Sequence, residues 1–361
     1  MIVQPASIDE LAEVVPAHAR LRVRGGGSKP ALSSPLPGVT TLDLSALTGI
    51  TEHTPEECVF TALAGTPIAE IERTLAPHRQ YLPFDPPLAA AGATLGGTVA
   101  AGFNGSCRYR FGGIRDFLIG ARVVDGRGRV ITSGGKVVKN AAGFLLHQAL
   151  VGSCGTIGVL AELTFKVFPA AEAHATIGVE VGDVASAVRV VASVQRAGID
   201  LEAIDVVPPK RVWLRLGGFR SALSTRVAIL QQAIGPKAIV HYDQDDAAIW
   251  RQAADLSWAP APDPLVRVPM TLPVLPALDL CLAPTHAPRR YTIAGNLGLI
   301  AWPGTLDTLD TMLRDLGLTG QVLRGAPEHP WLGALAPNAF EQRLRTVIDP
   351  DGRFAGVPAG R

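Results

Sequence analysis

Three glycine-rich segments hold the residue types whose spacing suits ligand chemistry. In the first, the alternating Leu21-Arg22-Val23-Arg24 reads as a strand and runs straight into Gly25-Gly26-Gly27-Ser28-Lys29-Pro30. Consecutive glycines at a strand end present several backbone N–H groups in a tight turn, which suits a phosphate or pyrophosphate; a plain turn satisfies the same residues. It is not a P-loop, because Lys29 does not follow a GxxxxG run and Pro30 resists the helix a P-loop needs. The second segment, Pro83–Gly113, packs seven glycines, three prolines and a run of alanines around apolar Leu95, Val99 and Phe103. Side chains this small let the backbone pass close to something bulky, either a large ligand along the main chain or another segment of the protein. The third is Gly152-x-x-Gly155-x-x-Gly158. Its glycines follow a helix-like stretch (142–151) and lead into a strand, the reverse of a dinucleotide-binding βαβ turn. Ser153 does not sit in a GxSxG hydrolase elbow.

Other chemistries find little support. Cys58, Cys107, Cys154 and Cys281 stand far apart with no CxxC, and the eight histidines include no HxH or HxxxH pair. No metal or iron–sulfur site is expected in this chain, and the cysteines read as buried free thiols.

The elements that must position these segments follow from periodicity. Ser7 is placed to cap a short helix through Val15, and Thr66–Leu75 reads as an amphipathic helix with Ile68, Ile71 and Leu75 on one face. Thr40–Leu44, Cys58–Leu63, Phe117–Val124, Val130–Thr132 and Val159–Val167 read as strands, so residues up to about 169 form an α+β region. A compositional break falls near Ala171–Ala175. Beyond it come a strand (Thr176–Val181), helix (Val184–Ala197), strand (Val212–Leu216), helix (Leu223–Ile234) and strand (Ala238–Tyr242). A second round has a helix at Asp245–Ala254, an extended Leu265–Val268, a helix at Leu275–Leu282, an extended Tyr291–Trp302 and a helix at Leu306–Leu316. Helices alternating with short strands suggest ferredoxin-like units. Phe340–Pro350 closes the chain as a helix followed by an extended strip.

At 361 residues, 47% hydrophobic and 18% charged with a net charge of +1, the chain has enough apolar residues for two cores and no electrostatic case for nucleic acid or an anionic membrane. The N-terminus lacks the basic start of a signal peptide, and no apolar run reaches the 18 or so residues that span a bilayer, so a cytoplasmic location is expected.

Taken in order, Arg24-Gly-Gly-Gly-Ser-Lys29, Gly92-Ala-Thr-Leu-Gly-Gly-Thr-Val-Ala-Ala-Gly102 and Gly152-Ser-Cys-Gly-Thr-Ile-Gly158 resemble the FAD-binding domain of the vanillyl-alcohol oxidase, or PCMH-type, flavoproteins. Arg115-Asp116-Phe-Leu-Ile-Gly120, Gly135-Lys-Val-Val-Lys139-Asn140-Ala-Ala-Gly143 and the ending Arg343–Phe354 look more narrowly like the FAD-binding E subunits of bacterial glycolate oxidases, kin of D-lactate and D-2-hydroxyglutarate dehydrogenases. The resemblance covers roughly residues 20–169 and 340–354. It implies an α+β fold: a PCMH-type FAD-binding domain of two subdomains at 1–170, split near 45–55, a ferredoxin-like α+β cap at 171–325, and a C-terminal segment at 326–361 returning to the FAD domain. Arg24, Gly25, Gly26, Gly27, Ser28, Lys29 and Pro86 would then bind the cofactor, with the Gly25–Ser28 amides offered to the pyrophosphate. Gly92, Ala93, Thr94, Gly96, Gly97, Thr98 and Gly102 would lie against the isoalloxazine and ribityl chain. Gly155, Thr156, Ile157, Gly158 and Val159 would receive the adenine side.

Departures from the pattern sharpen these expectations. Relatives with covalent FAD commonly carry a histidine just after the first glycine pair, where Gly27-Ser28 stand here, so non-covalent FAD is expected. Gly143-Phe144-Leu145 replaces a Gly-Tyr-Asp, the ending Gly356–Arg361 departs from Asn-Pro-Gly-Arg, and a histidine-rich motif of the D-lactate dehydrogenase relatives has no counterpart. Oxidising a 2-hydroxy acid requires a cation for the carboxylate and a base for the hydroxyl proton. Arg108, Arg110, Arg267, Arg289 and Arg290, and His241 and His286, are the candidates, and none is singled out as catalytic. The resemblance implies an FAD-dependent subunit of a glycolate oxidase-like dehydrogenase acting on glycolate or D-lactate, beside a second FAD-containing flavoprotein subunit and an iron–sulfur subunit, at the inner membrane at most through those partners. The alternatives are a non-catalytic flavin-binding assembly subunit and a stand-alone FAD-linked oxidase.

Overall fold

The Ser7 hydroxyl accepts from the Glu10 amide and starts a helix at Ile8–Ala17, which buries Ile8, Leu11 and Val15. In the computed structural model, which describes residues 1–135, 145–235, 238–336 and 338–356, the helix covers a parallel sheet of β1 (Ile2–Val3), β2 (Leu21–Arg24) and β3 (Thr40–Asp43), in the order β1-β3-β2. Strands β4 (Ile50–Thr54), β5 (Val59–Leu63), β6 (Gln80–Tyr81), β7 (Leu118–Val124), β8 (Val130–Gly134), β9 (Val159–Lys166) and β10 (Phe168–Pro169) follow. Five of them form an antiparallel sheet, β4-β5-β9-β7-β8, and β6 pairs with β10. Leu11 from the helix and Leu21 and Leu42 from the first sheet pack with Val124, Val159 and Ala161 from the second, so the two sheets share one core. Phe354 joins that core because the C-terminal strip runs parallel to β2, with the Leu21 amide donating to Arg353 O and the Ala355 amide to Leu21 O, each at 2.7 Å.

These elements, residues 1–103, 113–169 and 336–361, make one compact unit; residues 104–112 and 170–335 make a second. The segment 104–112, which the sequence reading left in the first part, packs within the second. That unit holds β11 (Ala173–Glu180), β12 (Ala203–Val207), β13 (Arg211–Gly218), β14 (Ile239–Tyr242), β15 (Leu265–Pro269), β16 (Arg289–Thr292), β17 (Leu297–Ala301), β18 (Thr319–Arg324) and β19 (Trp331–Gly333) in one antiparallel sheet. Its order, β14-β11-β13-β12-β16-β17-β15-β18-β19, resolves into two βαββαβ repeats. Each has its first strand between its third and fourth, and the repeats join through their second strands, at Val206↔Tyr291. This is the ferredoxin-like pattern, twice.

Three corrections to the sequence reading complete the repeats. Ala203–Val207 is a strand that alternation does not reveal: Ala203, Ile204, Asp205 and Val206 are all buried, so no polar/apolar period survives, and Asp205 interrupts the apolar run. Tyr291–Trp302 is a hairpin of β16 and β17 rather than one extended run. Thr319–Arg324 and Trp331–Gly333 add strands the reading omitted. The cysteines are all free, but Cys107 alone is fully buried and the others are half-buried.

Candidate functional site

Strand β2 ends at Arg24, and the glycine turn leads into a single 3-10 turn at Pro30–Leu32. Gly27 takes a positive φ of 70°, which a side chain disfavours. Among the described residues the amides of Gly26, Gly27 and Ser28 donate to no protein acceptor, so they remain available to a ligand. Lys29 is buried beside them, its ammonium 3.0 Å from the Ser28 hydroxyl.

The second glycine segment forms the opposite wall. Thr94 caps a helix at Leu95–Ala101 by accepting from the Gly97 amide, and Gly102 closes it in the left-handed region. The glycines of the two walls divide into two kinds. A Cβ on Gly26 would overlap the Gly92 carbonyl oxygen, one on Gly25 the Thr94 hydroxyl, and one on Gly96 would lie 2.7 Å from Ala64 Cβ. These three are small because protein packs against protein. A Cβ on Gly97 would meet one close atom, the movable Thr94 hydroxyl at 2.9 Å, and otherwise enters open space. Within the small-residue stretch, close packing of protein on protein accounts for Gly96, whereas Gly97 faces open space.

The two walls and the third segment enclose a narrow cleft with about 670 Å³ between its lining atoms, open mouth included. Gly25, Gly26, Gly27, Ser28, Lys29, Thr94, Gly96, Gly97, Gly155 and Gly158 line it. Gly155 has a φ of 72° and lies against Val23, where a Cβ would be 3.0 Å from Val23 Cβ. The remaining expected residues sit elsewhere. Arg24 lies along Gly27 and 4.0 Å from Asp43. Pro86 and Ala93 are buried and Gly92 supports the glycine turn. Thr98 is buried with its hydroxyl unpaired among the described residues, Gly102 backs onto Gly152, and Thr156 bonds Ser153 O at 2.7 Å. Ile157 and Val159 are buried, Val159 in the shared core. Sequence reasoning missed Val23, Leu32, Ser33, Leu44, Ala64, Ala100, Ala101, Cys154 and Leu160 as lining residues. Cys154 stood inside a quoted motif, and Val23 and Leu160 flank motifs on strands; their side-chain directions were the missing information. The Lys136–Phe144 part of the narrower motif, and residues 357–361, lie outside the described residues.

In the second unit three of the candidate cations are already engaged. Arg289 Nε is 2.5 Å from Asp279 Oδ1, and Arg290 Nε is 2.5 Å from Asp205 Oδ2. Arg110 pairs with Asp200 at 2.6 Å, Arg108 is exposed, and Arg267 lies on β15. His286 is exposed at the end of a 3-10 turn, and His241 meets the Trp213 ring edge-on at 5.5 Å.

Backbone amides presented by a glycine turn, a buried lysine beside them and a narrow slot suit an extended diphosphate ligand, and the fold is that of a flavin-binding domain. Residues 1–134 match the FAD binding domain family, so the chain carries a PCMH-type FAD-binding domain. Over 97% of its length it is 29% identical to glycolate oxidase subunit GlcE of Escherichia coli, covering 95% of that protein. Glycolate oxidase subunit GlcD of Bacillus subtilis is 28% identical over 49% of this chain, which spans 38% of that subunit. The D-lactate dehydrogenase of Archaeoglobus fulgidus is 34% identical over 30% of the chain and 24% of that enzyme. Among solved structures, an alkyldihydroxyacetonephosphate synthase superposes on all of this chain and 75% of its own with a TM-score of 0.72 at 16% identity, a likeness of fold. Among the described residues no helix is long and apolar enough to cross a membrane.

Proposed function

We propose that this chain is the FAD-binding subunit of a glycolate oxidase-like 2-hydroxy acid dehydrogenase. The observation that carries the reading is the end-to-end similarity to GlcE, joined to a cleft whose free amides suit a pyrophosphate. Bound FAD supplies the two-electron acceptor for the C–H of a 2-hydroxy acid. The amides of Gly26, Gly27 and Ser28 and the Lys29 ammonium would hold its phosphates, and Gly97 leaves the slot open beside them. Held this way the cofactor is non-covalent, and acid denaturation releases it intact. The partners on this reading are a second flavoprotein subunit and an iron–sulfur subunit, which would accept the electrons. Anaerobic glycolate or D-lactate added to the isolated yellow chain bleaches the flavin band near the visible maximum. A chain that cannot be reconstituted with flavin at all overturns the reading.

A specific observation favours a second role, flavin-dependent assembly without intrinsic catalysis: Arg289 and Arg290 are each bound to a carboxylate. On that reading bleaching occurs when the partner subunits are present and not before.

Cys154 offers a direct check on the cleft. It lines the slot and is half-buried. FAD slows its alkylation by iodoacetamide, read by peptide mass spectrometry, and leaves the labelling of half-buried Cys281 in the second unit unchanged. Equal labelling of Cys154 with and without FAD places the cofactor elsewhere.

A further inference from the structure

Arg22 is a buried arginine to which the described protein supplies no acid. On β2, three residues before the glycine turn begins at Gly25, it is 6% exposed. Nη2 donates to Leu32 O at 2.6 Å and Nη1 to Ala355 O at 3.1 Å, while Nε is buried without a partner. No carboxylate stands within ion-pair distance among the described residues. The contrast within the chain is direct: buried Arg290 has Asp205 at 2.5 Å, and Arg215 has Asp246 at 2.9 Å. Burying a cation against carbonyl dipoles alone costs several kcal/mol in general. That burial also makes the guanidinium easier to deprotonate than usual, partly offset by the nearby Cys154.

The place of this charge gives it a use. Two of its neighbours, Leu32 and Cys154, line the cleft together with the Gly25–Lys29 turn. Gly356 passes so close that a Cβ there would lie 2.9 Å from Nη1, so the C-terminal strip packs directly on the guanidinium. A diphosphate ester carries two negative charges. Lys29 within the turn and Arg22 behind it supply two positive ones, and the free amides supply the direct hydrogen bonds.

We propose that Arg22 is the fixed counter-charge for the diphosphate of the ligand in this cleft, a positioning residue that is uncompensated until the ligand arrives. The inference rests on the reading of the cleft as a cofactor site. It predicts opposite effects on the empty and loaded protein. With Arg22→Met the apo protein melts at the same temperature as wild type or higher, because an unpaired buried charge is gone. The dissociation constants for FAD and for ADP, measured by titration calorimetry on apo protein, each rise about tenfold or more. Arg22→Lys, which keeps the charge, restores most of the affinity, and Arg22→Gln, which keeps a donor without charge, does not. Should Arg22→Met fail to fold, the comparison of the Lys and Gln variants decides. Equal affinities in those two, or an apo melting temperature that falls in step with affinity, overturns the proposal and makes Arg22 a structural tie to the C-terminal strip. Wild-type protein that binds ADP in an Arg22-dependent way but takes up no flavin overturns the cofactor reading and leaves this one standing. FAD bound equally by wild type and every variant does the reverse.

Discussion

Replacing Gly97 with valine is expected to abolish flavin retention while leaving the chain folded. Gly97 lies in the first turn of the helix Leu95–Ala101 and on the wall of the cleft. A side chain there meets the Thr94 hydroxyl and then the slot itself, so its branches occupy space a ligand needs. The local cost is modest. Disturbing the Thr94 cap costs about 1 kcal/mol, and replacing glycine by valine inside a helix recovers roughly 0.4 kcal/mol of it. The variant is therefore colourless after purification, with wild-type circular dichroism and an apo melting temperature close to that of wild-type apoprotein. Gly26→Ala is the informative contrast, because its Cβ collides with the Gly92 carbonyl oxygen inside the protein. It loses flavin and apo stability together. A yellow Gly97→Val protein with normal FAD content means the cofactor does not lie in this cleft.

The second large effect lies in the other unit. Arg290→Met is expected to destabilise it by about 3–5 kcal/mol, the usual consequence of leaving one member of a buried ion pair alone. Asp205 is fully buried, and its Oδ2 accepts from both Arg290 Nε at 2.5 Å and Ser106 Oγ at 2.9 Å. Burial already pushes the Asp205 carboxyl upward against the pull of Arg290. Without the guanidinium the carboxylate must either protonate or carry its charge unopposed in the sheet. The double variant Asp205→Val with Arg290→Met removes both charges and recovers much of the loss, because apolar side chains of similar size tolerate that position between the repeats. Urea denaturation of the two single variants and the double variant measures this coupling. Additive losses in the double variant would contradict a direct pair. Every residue lining the cleft belongs to the other unit, so flavin content per folded molecule is expected to hold in all three.

These two positions also mark the limit of what the amino-acid order reveals. Local rules suffice where neighbours in sequence decide the outcome. Ser7 caps its helix on the Glu10 amide three residues on, Ile68, Ile71 and Leu75 share a buried face at helical spacing, and the glycines after Arg24 break β2 into a turn. The three glycine motifs therefore mark a candidate site, and residues of all three do line one cleft. They do not distinguish Gly26 from Gly97, since both are glycines in glycine-rich runs. What separates them is whether a carbonyl sixty-odd residues away, at Gly92, or open space lies where the Cβ would be. Ala203–Val207 escapes detection for a related reason: a strand buried on both faces has no period, and its aspartate reads as a loop residue until Arg290 and Ser106 are brought to it. Arg22 is the clearest case. In the alternating Leu21–Arg24 it is one more polar strand residue, expected at the surface. Its burial depends on Leu32 O and on Ala355 O from the far end of the chain, and its lack of an acid is a property of the whole described surroundings. Charge and hydrogen-bonding balance are sums over everything within a few ångströms, and only the folded chain determines which atoms enter that sum.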